Sequence, residues 1–148
     1  MASVPFVLCA SKEYIERHGE PTHPDDLSEH DCIVHTNDPV WRLGRGHTST
    51  PIKIRNVVYS SNSYLVLQKA TALGRGIALL SERAVYDDLS SGNLQALLSE
   101  FGVADRSLYS IYGPGDAVPR KVSELLDFLT TWFKENPMPT LHADTALG

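Results

Sequence analysis

The order of segments along the 148 residues predicts an α/β fold built on a mixed or parallel sheet. Three observations carry that prediction. Short, continuous apolar runs, such as residues 6–10 and 77–80, alternate with stretches of helical character. Several of these runs end in a serine that is suited to open the next helix. The closing segment repeats large apolar residues at three- and four-residue steps. A chain this long buries roughly 70% of the surface exposed when unfolded, enough for one domain with a core of its own.

Each element has a local reason. The run at residues 6–10 reads as a strand buried on both faces, and Ser11 and Glu13 suit the cap and first turn of a helix over residues 12–18. Gly19 stops that helix. Pro24 at a first helical position, followed by Asp25 and Asp26, opens a short helix to about His30. Residues 32–34 form a second strand, Asn37, Asp38 and Pro39 a turn, and residues 40–43 a strand carrying Trp41. Gly44, Arg45 and Gly46 supply a loop. Ile52, Ile54 and Val58 alternate with polar neighbours, which predicts one further strand ending at Ser60, Ser61 and Asn62. A helix over residues 63–73 closes at Gly74, and residues 77–80 form another buried strand with Ser81 and Glu82 opening a helix after it. Residues 94–98 and 108–112 are the last strand candidates. Pro119 starts the final helix, where Val122, Leu125, Leu126, Leu129, Trp132 and Phe133 form one stripe. Residues 142–148 read as a loose tail.

Composition narrows the function. Hydrophobic residues make up 42% and charged residues 21%, which fits neither a disordered chain nor one with a membrane span. The amino-terminal residues lack the charged and apolar regions of a signal peptide. The net charge of −5 argues against these residues gripping the phosphates of a duplex. Cys9 and Cys32 lie in apolar runs and read as reduced, buried thiols.

Catalytic patterns are absent. No Gly-x-Ser-x-Gly elbow is present, and Ser11, Ser61 and Ser81 sit where caps are needed. Gly74-Arg75-Gly76 lacks the third glycine of a dinucleotide loop and the lysine of a P-loop, and it follows a helix instead of preceding one. None of the six histidines is paired at helical metal-ligand spacing, and surface or helix-end roles explain them. The cluster His30, Asp31, His35 is the set a small metal-dependent enzyme would use. Ser60, Ser61 and Asn62 end a strand and open a helix, where free N–H groups and hydroxyls converge to suit a carboxylate or phosphate. Ala10 and Ser11 are chemically similar, and ligands of open α/β sheets sit beyond the carboxyl ends of strands.

The ordered motifs resemble the effector-binding domain of LysR-type transcriptional regulators. Residues 8–19, with Ala10, Ser11, Tyr14, His18 and Gly19, are similar to the family's ASPxYLxxHG stretch. Pro21, Pro24, Asp26, Leu27, His30, Cys32 and Ile33 match P-x-x-P-x-D-L-x-x-H-x-C-I. Trp41, Arg42 and Leu43 fit the next short strand, and residues 72–80 are similar to AGxGIAxLP. Leu89, Gly92 and Leu94 fall in the family's L-x-x-G-x-L. Residues 109–112 and 119–133 resemble its closing strand and last helix. Lys12 and Ser81 stand where the family usually has proline, both at helix starts that tolerate the change.

The resemblance implies a type 2 periplasmic-binding-protein-like architecture, with two lobes and a cleft for small molecules. Residues 7–106 would form the second lobe. Residues 107–135 would supply the return crossing and the last helix of the first lobe, and 136–148 the tail. The opening half of the first lobe and the winged helix-turn-helix would lie outside the chain, making it a fragment that contacts DNA only through that absent domain. It further implies a cytoplasmic, non-enzymatic sensing module with no cofactor, no metal and no membrane partner. Its partners would be a small effector and further copies of itself. Effector-binding residues are expected at Ala10, Ser11, Ser60, Ser61, Asn62 and Tyr64, hydrogen bonding to a carboxylate or similar group. With half the cleft absent, this chain alone is expected to bind its effector poorly or not at all. The six-residue apolar stripe of the last helix, at about 1.5–3 kcal/mol per side chain, is expected to pack on its own lobe or on another copy. Besides the metal enzyme, a solute-binding protein for uptake is the alternative.

Overall fold

A computed structural model describes residues 2–44, 46–104, 106–109, 111 and 118–137. The elements are β1 (Ala2–Val4), β2 (Phe6–Ser11), α1 (Lys12–His18), a 3-10 turn (Pro24–Glu29), β3 (Cys32–His35), β4 (Val40–Leu43), a second 3-10 turn (Gly46–Thr48) and β5 (Thr50–Lys53). There follow β6 (Val57–Ser61), α2 (Tyr64–Ala72), β7 (Ile77–Ser81), α3 (Glu82–Ser91), β8 (Leu94–Ala96), β9 (Arg106–Leu108) and α4 (Arg120–Glu135). The expected α/β class is what forms. The tail at 142–148 and part of the candidate strand at 108–112 lie outside the described residues.

The central sheet has the order β6-β3-β7-β2-β8. β3 runs parallel to both β6 and β7, whereas β2 runs antiparallel to β7 and β8. Because side chains alternate along a strand, each central strand feeds two cores. Leu8, Ala10, Cys32, Val34, Ile77 and Leu79 point to one face, where Tyr14, Leu27, Trp41 and Leu43 cover them. Val7, Cys9, Ile33, Ala78 and Leu80 point to the other, under Leu67 of α2 and Val85 of α3. This two-sided burial is why the strands read as unbroken apolar runs. Cys9 and Cys32 are free and belong to opposite cores, and burial pushes both thiols up to about 12.

Three expectations about strands are corrected. The last strand is β9 at Arg106–Leu108 and not 108–112, since Ser3 and Val4 of β1 pair with Ser107 and Arg106 while Tyr109 and Ile111 lie outside any strand. The single strand expected through Ile52, Ile54 and Val58 is two: β5 pairs with β4 as a hairpin, and β6 is the edge of the central sheet. The break falls at residues 54–56. Ile54 turns into the core, while Asn56 accepts from the Cys32 amide and donates from Nδ2 to the His30 carbonyl and to Asp31 Oδ1. Those bonds carry the chain from the hairpin onto β3. β8 stops at Ala96 instead of Leu98, because Leu98 takes a left-handed φ of 51° that turns Leu97 and Leu98 into the core.

β1 and β9 pair antiparallel in a separate two-stranded ribbon. α4 lies against β1 and has no buried residue. On the stripe Leu125 and Trp132 are exposed while Val122, Leu126, Leu129 and Phe133 are half-buried, and Phe128 beside the stripe is exposed as well.

Gly76 holds β7 against the start of β3. Its φ is +154°, the Ile77 amide donates to the Asp31 carbonyl at 2.9 Å, and a Cβ on Gly76 would lie 2.5 Å from that carbonyl oxygen. Gly19 also has positive φ, but nothing lies within 4 Å of its Cβ position. Gly76→Ala should therefore cost about 2–3 kcal/mol or more in urea denaturation, and Gly19→Ala only about 1 kcal/mol. Equal losses would contradict the close approach.

Candidate functional site

The three parallel strands β6, β3 and β7 end together. His35 is level with Ser61, and Phe6 at the start of the antiparallel β2 is level with Ser81 at the end of β7. The chain reaches β2 from β1, so the ribbon and the carboxyl ends of the parallel strands share one end of the sheet. Open α/β sheets bind their ligands at such an end.

The polar side chains there are tied together. The His35 ring is a staple: Nδ1 accepts from the Asn37 amide at 3.3 Å, and Nε2 donates to the Asn62 carbonyl at 3.1 Å. One neutral tautomer, protonated on Nε2, satisfies both bonds. The same ring stacks on Tyr64, with centroids 4.5 Å apart. Tyr64 meets Phe6 edge-on at 6.0 Å, and its hydroxyl accepts from Arg106 at 3.2 Å. The Arg106 guanidinium sits over the Phe6 ring, 4.4 Å from the centroid, and forms an ion pair with Asp38. Partial burial holds Arg106 below its ordinary pKa range, and it remains a cation at neutral pH. Ser61 Oγ accepts from the Ser63 amide, and Ser60, which precedes it on β6, is exposed.

Of the six residues expected from the sequence, Ser60, Ser61, Asn62 and Tyr64 meet at this end. Ala10 and Ser11 do not join them. β2 runs against β7, so its carboxyl end lies beside the amino ends of the parallel strands. Ala10 is fully buried, and Ser11 Oγ is engaged in capping α1 by accepting from the Tyr14 amide at 3.1 Å. A strand's carboxyl end marks a ligand site only when the strand runs with its neighbours, and the sequence does not print strand direction. Phe6, Asp38 and Arg106 escaped the sequence reading, and His35 entered it only as a ligand of the alternative metal-dependent enzyme. Arg106 is 68 residues from Asp38 and 42 from Tyr64, and no local pattern links them.

His30, Asp31 and His35 are likewise divided. His30 and Asp31 precede β3 and His35 ends it. His30 Nδ1 instead meets the Tyr14 hydroxyl at 3.1 Å, and that hydroxyl accepts from the Asp31 amide at 2.9 Å. A separate, largely apolar groove between β6 and α2 is lined by Val58, Tyr59, Val66 and Leu73, with Lys69 and Arg75 on it.

A covered mixed α/β sheet beside a two-stranded ribbon fits the fold class of LysR-type regulatory domains, which is type 2 periplasmic-binding-protein-like. Residues 1–134 match the LysR substrate binding domain family, and the chain belongs to that family. It is similar to the Escherichia coli K12 HTH-type transcriptional activator TtdR, with 30% identity over 87% of this chain and 42% of the relative. It is also similar to the HTH-type transcriptional regulator DmlR of the same organism, with 33% identity over 88% and 43%. Among solved structures, the full-length Vibrio cholerae virulence activator AphB, a member of the LTTR family, aligns with a TM-score of 0.73 at 25% identity, covering 88% of this chain and 46% of that one. These relatives are transcriptional regulators and not enzymes. The chain spans less than half the length of the curated relatives it matches. Among the described residues no helix is long and apolar enough to cross a membrane.

The Tyr14–His30 contact at the opposite end predicts a pH response. Burial, then the charge of His18, pushes His30 below its ordinary 6.5, against the pull of Asp26, Asp31 and Glu29. The unfolded chain therefore takes up a proton near pH 6.5 that the folded chain resists, and stability falls as pH drops below that value. His30→Gln should lose about 1 kcal/mol at pH 7.5 with the Tyr14 bond, yet lose less than the parent between pH 7.5 and 5. Parallel pH dependences in urea melts would exclude this origin.

Proposed function

We propose that the chain is the ligand-sensing lobe of a LysR-type regulator, and that a small carboxylate-bearing effector binds at the ends of β3 and β6. The observation that carries this reading is Arg106. Its guanidinium lies over an aromatic ring at the carboxyl ends of the parallel strands, with the Tyr64 hydroxyl as a neighbour. Planar, forked guanidinium donors suit a carboxylate, and Ser60, Ser61 and Asn62 stand at the same end of the sheet, where β6 finishes. In this reading residues 7–106 make one lobe of a two-lobed domain, and 107–135 are the return crossing and a helix of the other. Effector binding in the cytoplasm shifts the lobes and the packing of subunits. A winged helix-turn-helix elsewhere in the regulator then changes its hold on DNA.

Self-association belongs to the same reading. Leu125, Phe128 and Trp132 on α4 and the apolar groove beside α2 offer surface that a second copy would bury.

Two measurements test these statements. Titrating 15N-labelled protein with benzoate or succinate should shift amides near residues 35–38, 60–64 and 106, with millimolar affinity, and leave Ala10 and Ser11 unmoved. Shifts confined to the Ser11 end, or none, would overturn the carboxylate reading. In sedimentation velocity the chain should associate, and Leu125→Glu with Phe128→Glu should move it to monomer. A parent chain that is already monomeric would remove the self-association.

A further inference from the structure

Asp38 stands in a turn closed by its own amide, which donates to the His35 carbonyl at 2.9 Å. Arg106 stands on β9, opposite Val4 of β1. Their ion pair therefore joins the ribbon to the loops at the end of the central sheet. The guanidinium reaches the turn through Asp38, the start of α2 through the Tyr64 hydroxyl, and the start of β2 through the Phe6 ring. Both partners are only partly covered, with 34% of the Arg106 side chain and 29% of the Asp38 side chain exposed. About a third of each side chain still meets water, so the pair is partly screened and another carboxylate can reach the guanidinium to exchange with Asp38.

We infer that Asp38 is an internal stand-in for the effector's carboxylate, a latch that holds Arg106 and with it the β1–β9 ribbon until an external carboxylate takes its place. The inference rests on the carboxylate reading of this cluster and adds its regulation. Asp38 and the ligand offer the same group to the same cation. Only one can hold the Asp38-facing donors of Arg106 at a time. When the ligand holds them, the turn at residues 35–38 loses its tie to the ribbon, while the Phe6 and Tyr64 contacts still position the guanidinium. An uncharged isostere of the ligand has nothing to exchange with Asp38 and leaves the latch closed. Selectivity for anions and release of the ribbon thus come from one pair of side chains.

The test uses the intact chain with Asp38→Asn, Arg106→Met and the double variant. Benzoate and its neutral counterpart benzamide are the probes, and amide shifts with amide hydrogen exchange are the readouts. Asp38→Asn should bind benzoate about tenfold more tightly, since no internal carboxylate competes. Arg106→Met should no longer distinguish benzoate from benzamide. Exchange at ribbon residues 2–4 and 106–108 should rise about fivefold in either single variant, with no further rise in the double. Benzoate should produce the same rise in the parent chain. If benzoate shifts the site in the parent but Asp38→Asn binds it no better, the latch is overturned and the carboxylate reading stands. If benzoate shifts the site in neither chain, the carboxylate reading falls and takes the ligand-driven latch with it. Ribbon exchange that is unchanged in both single variants overturns the latch whatever benzoate does.

Discussion

The antiparallel pairing of β2 with β7 decides where everything else in this chain can sit. Phe6 lies opposite Ser81, so the strand that leaves the ribbon enters the sheet at the end where β3, β6 and β7 finish. Had β2 run with its neighbours, the ribbon would reach the sheet at the amino ends, and Arg106 would lie a full strand length from Tyr64. The pairing is held by apolar burial on both faces. Val7 and Cys9 belong to one core and Leu8 and Ala10 to the other, and all four are buried. A one-residue slip would exchange the two sets between cores of different shape. Register and direction are therefore fixed by packing, and the position of the polar cluster follows from them.

The two ends of the sheet are built differently. At the amino ends, Tyr14, His30, Asp31 and Asn56 spend their hydrogen bonds on one another and on backbone, joining α1 and the 3-10 turn to the start of β3. That network is structural, and Gly76 completes it by allowing β7 to approach the Asp31 carbonyl. At the carboxyl ends the bonds also close, but through longer-range partners and more exposed ones. His35 ties two loops, Tyr64 ties α2 to the ribbon, and Arg106 is shared among Asp38, Tyr64 and Phe6. A charged group with exchangeable partners at that place suits recognition more than it suits stability.

Much of the fold was legible because its signals are local. Ser11 caps α1, Gly19 ends it, Gly74 follows α2 with a left-handed φ of 73°, and Pro119 precedes α4. Half-legible elements mark the points where tertiary bonds intervene. The segment from Ile52 to Ser60 alternates like one strand, yet the side chain of Asn56 and burial of Ile54 divide it between two sheets. β1 gave no signal of its own, since three residues acquire strand geometry only by pairing with β9. The hydroxyl cluster at Ser60, Ser61 and Asn62 was readable as a helix start, while its cationic partner was not.

The sequence by itself determined the α/β class, the strands buried on both faces, the helix boundaries and membership in the LysR effector-binding family, because periodicity, caps and ordered motifs are written within a few residues of one another. Only the tertiary structure decided which strand ends share a side. It separated Ala10 and Ser11 from Ser60, Ser61, Asn62 and Tyr64, and it brought Arg106 to Asp38 and Tyr64. The reason is that strand direction is a property of pairing between distant segments, set by which side chains fill the two cores, and no run of neighbouring residues encodes it.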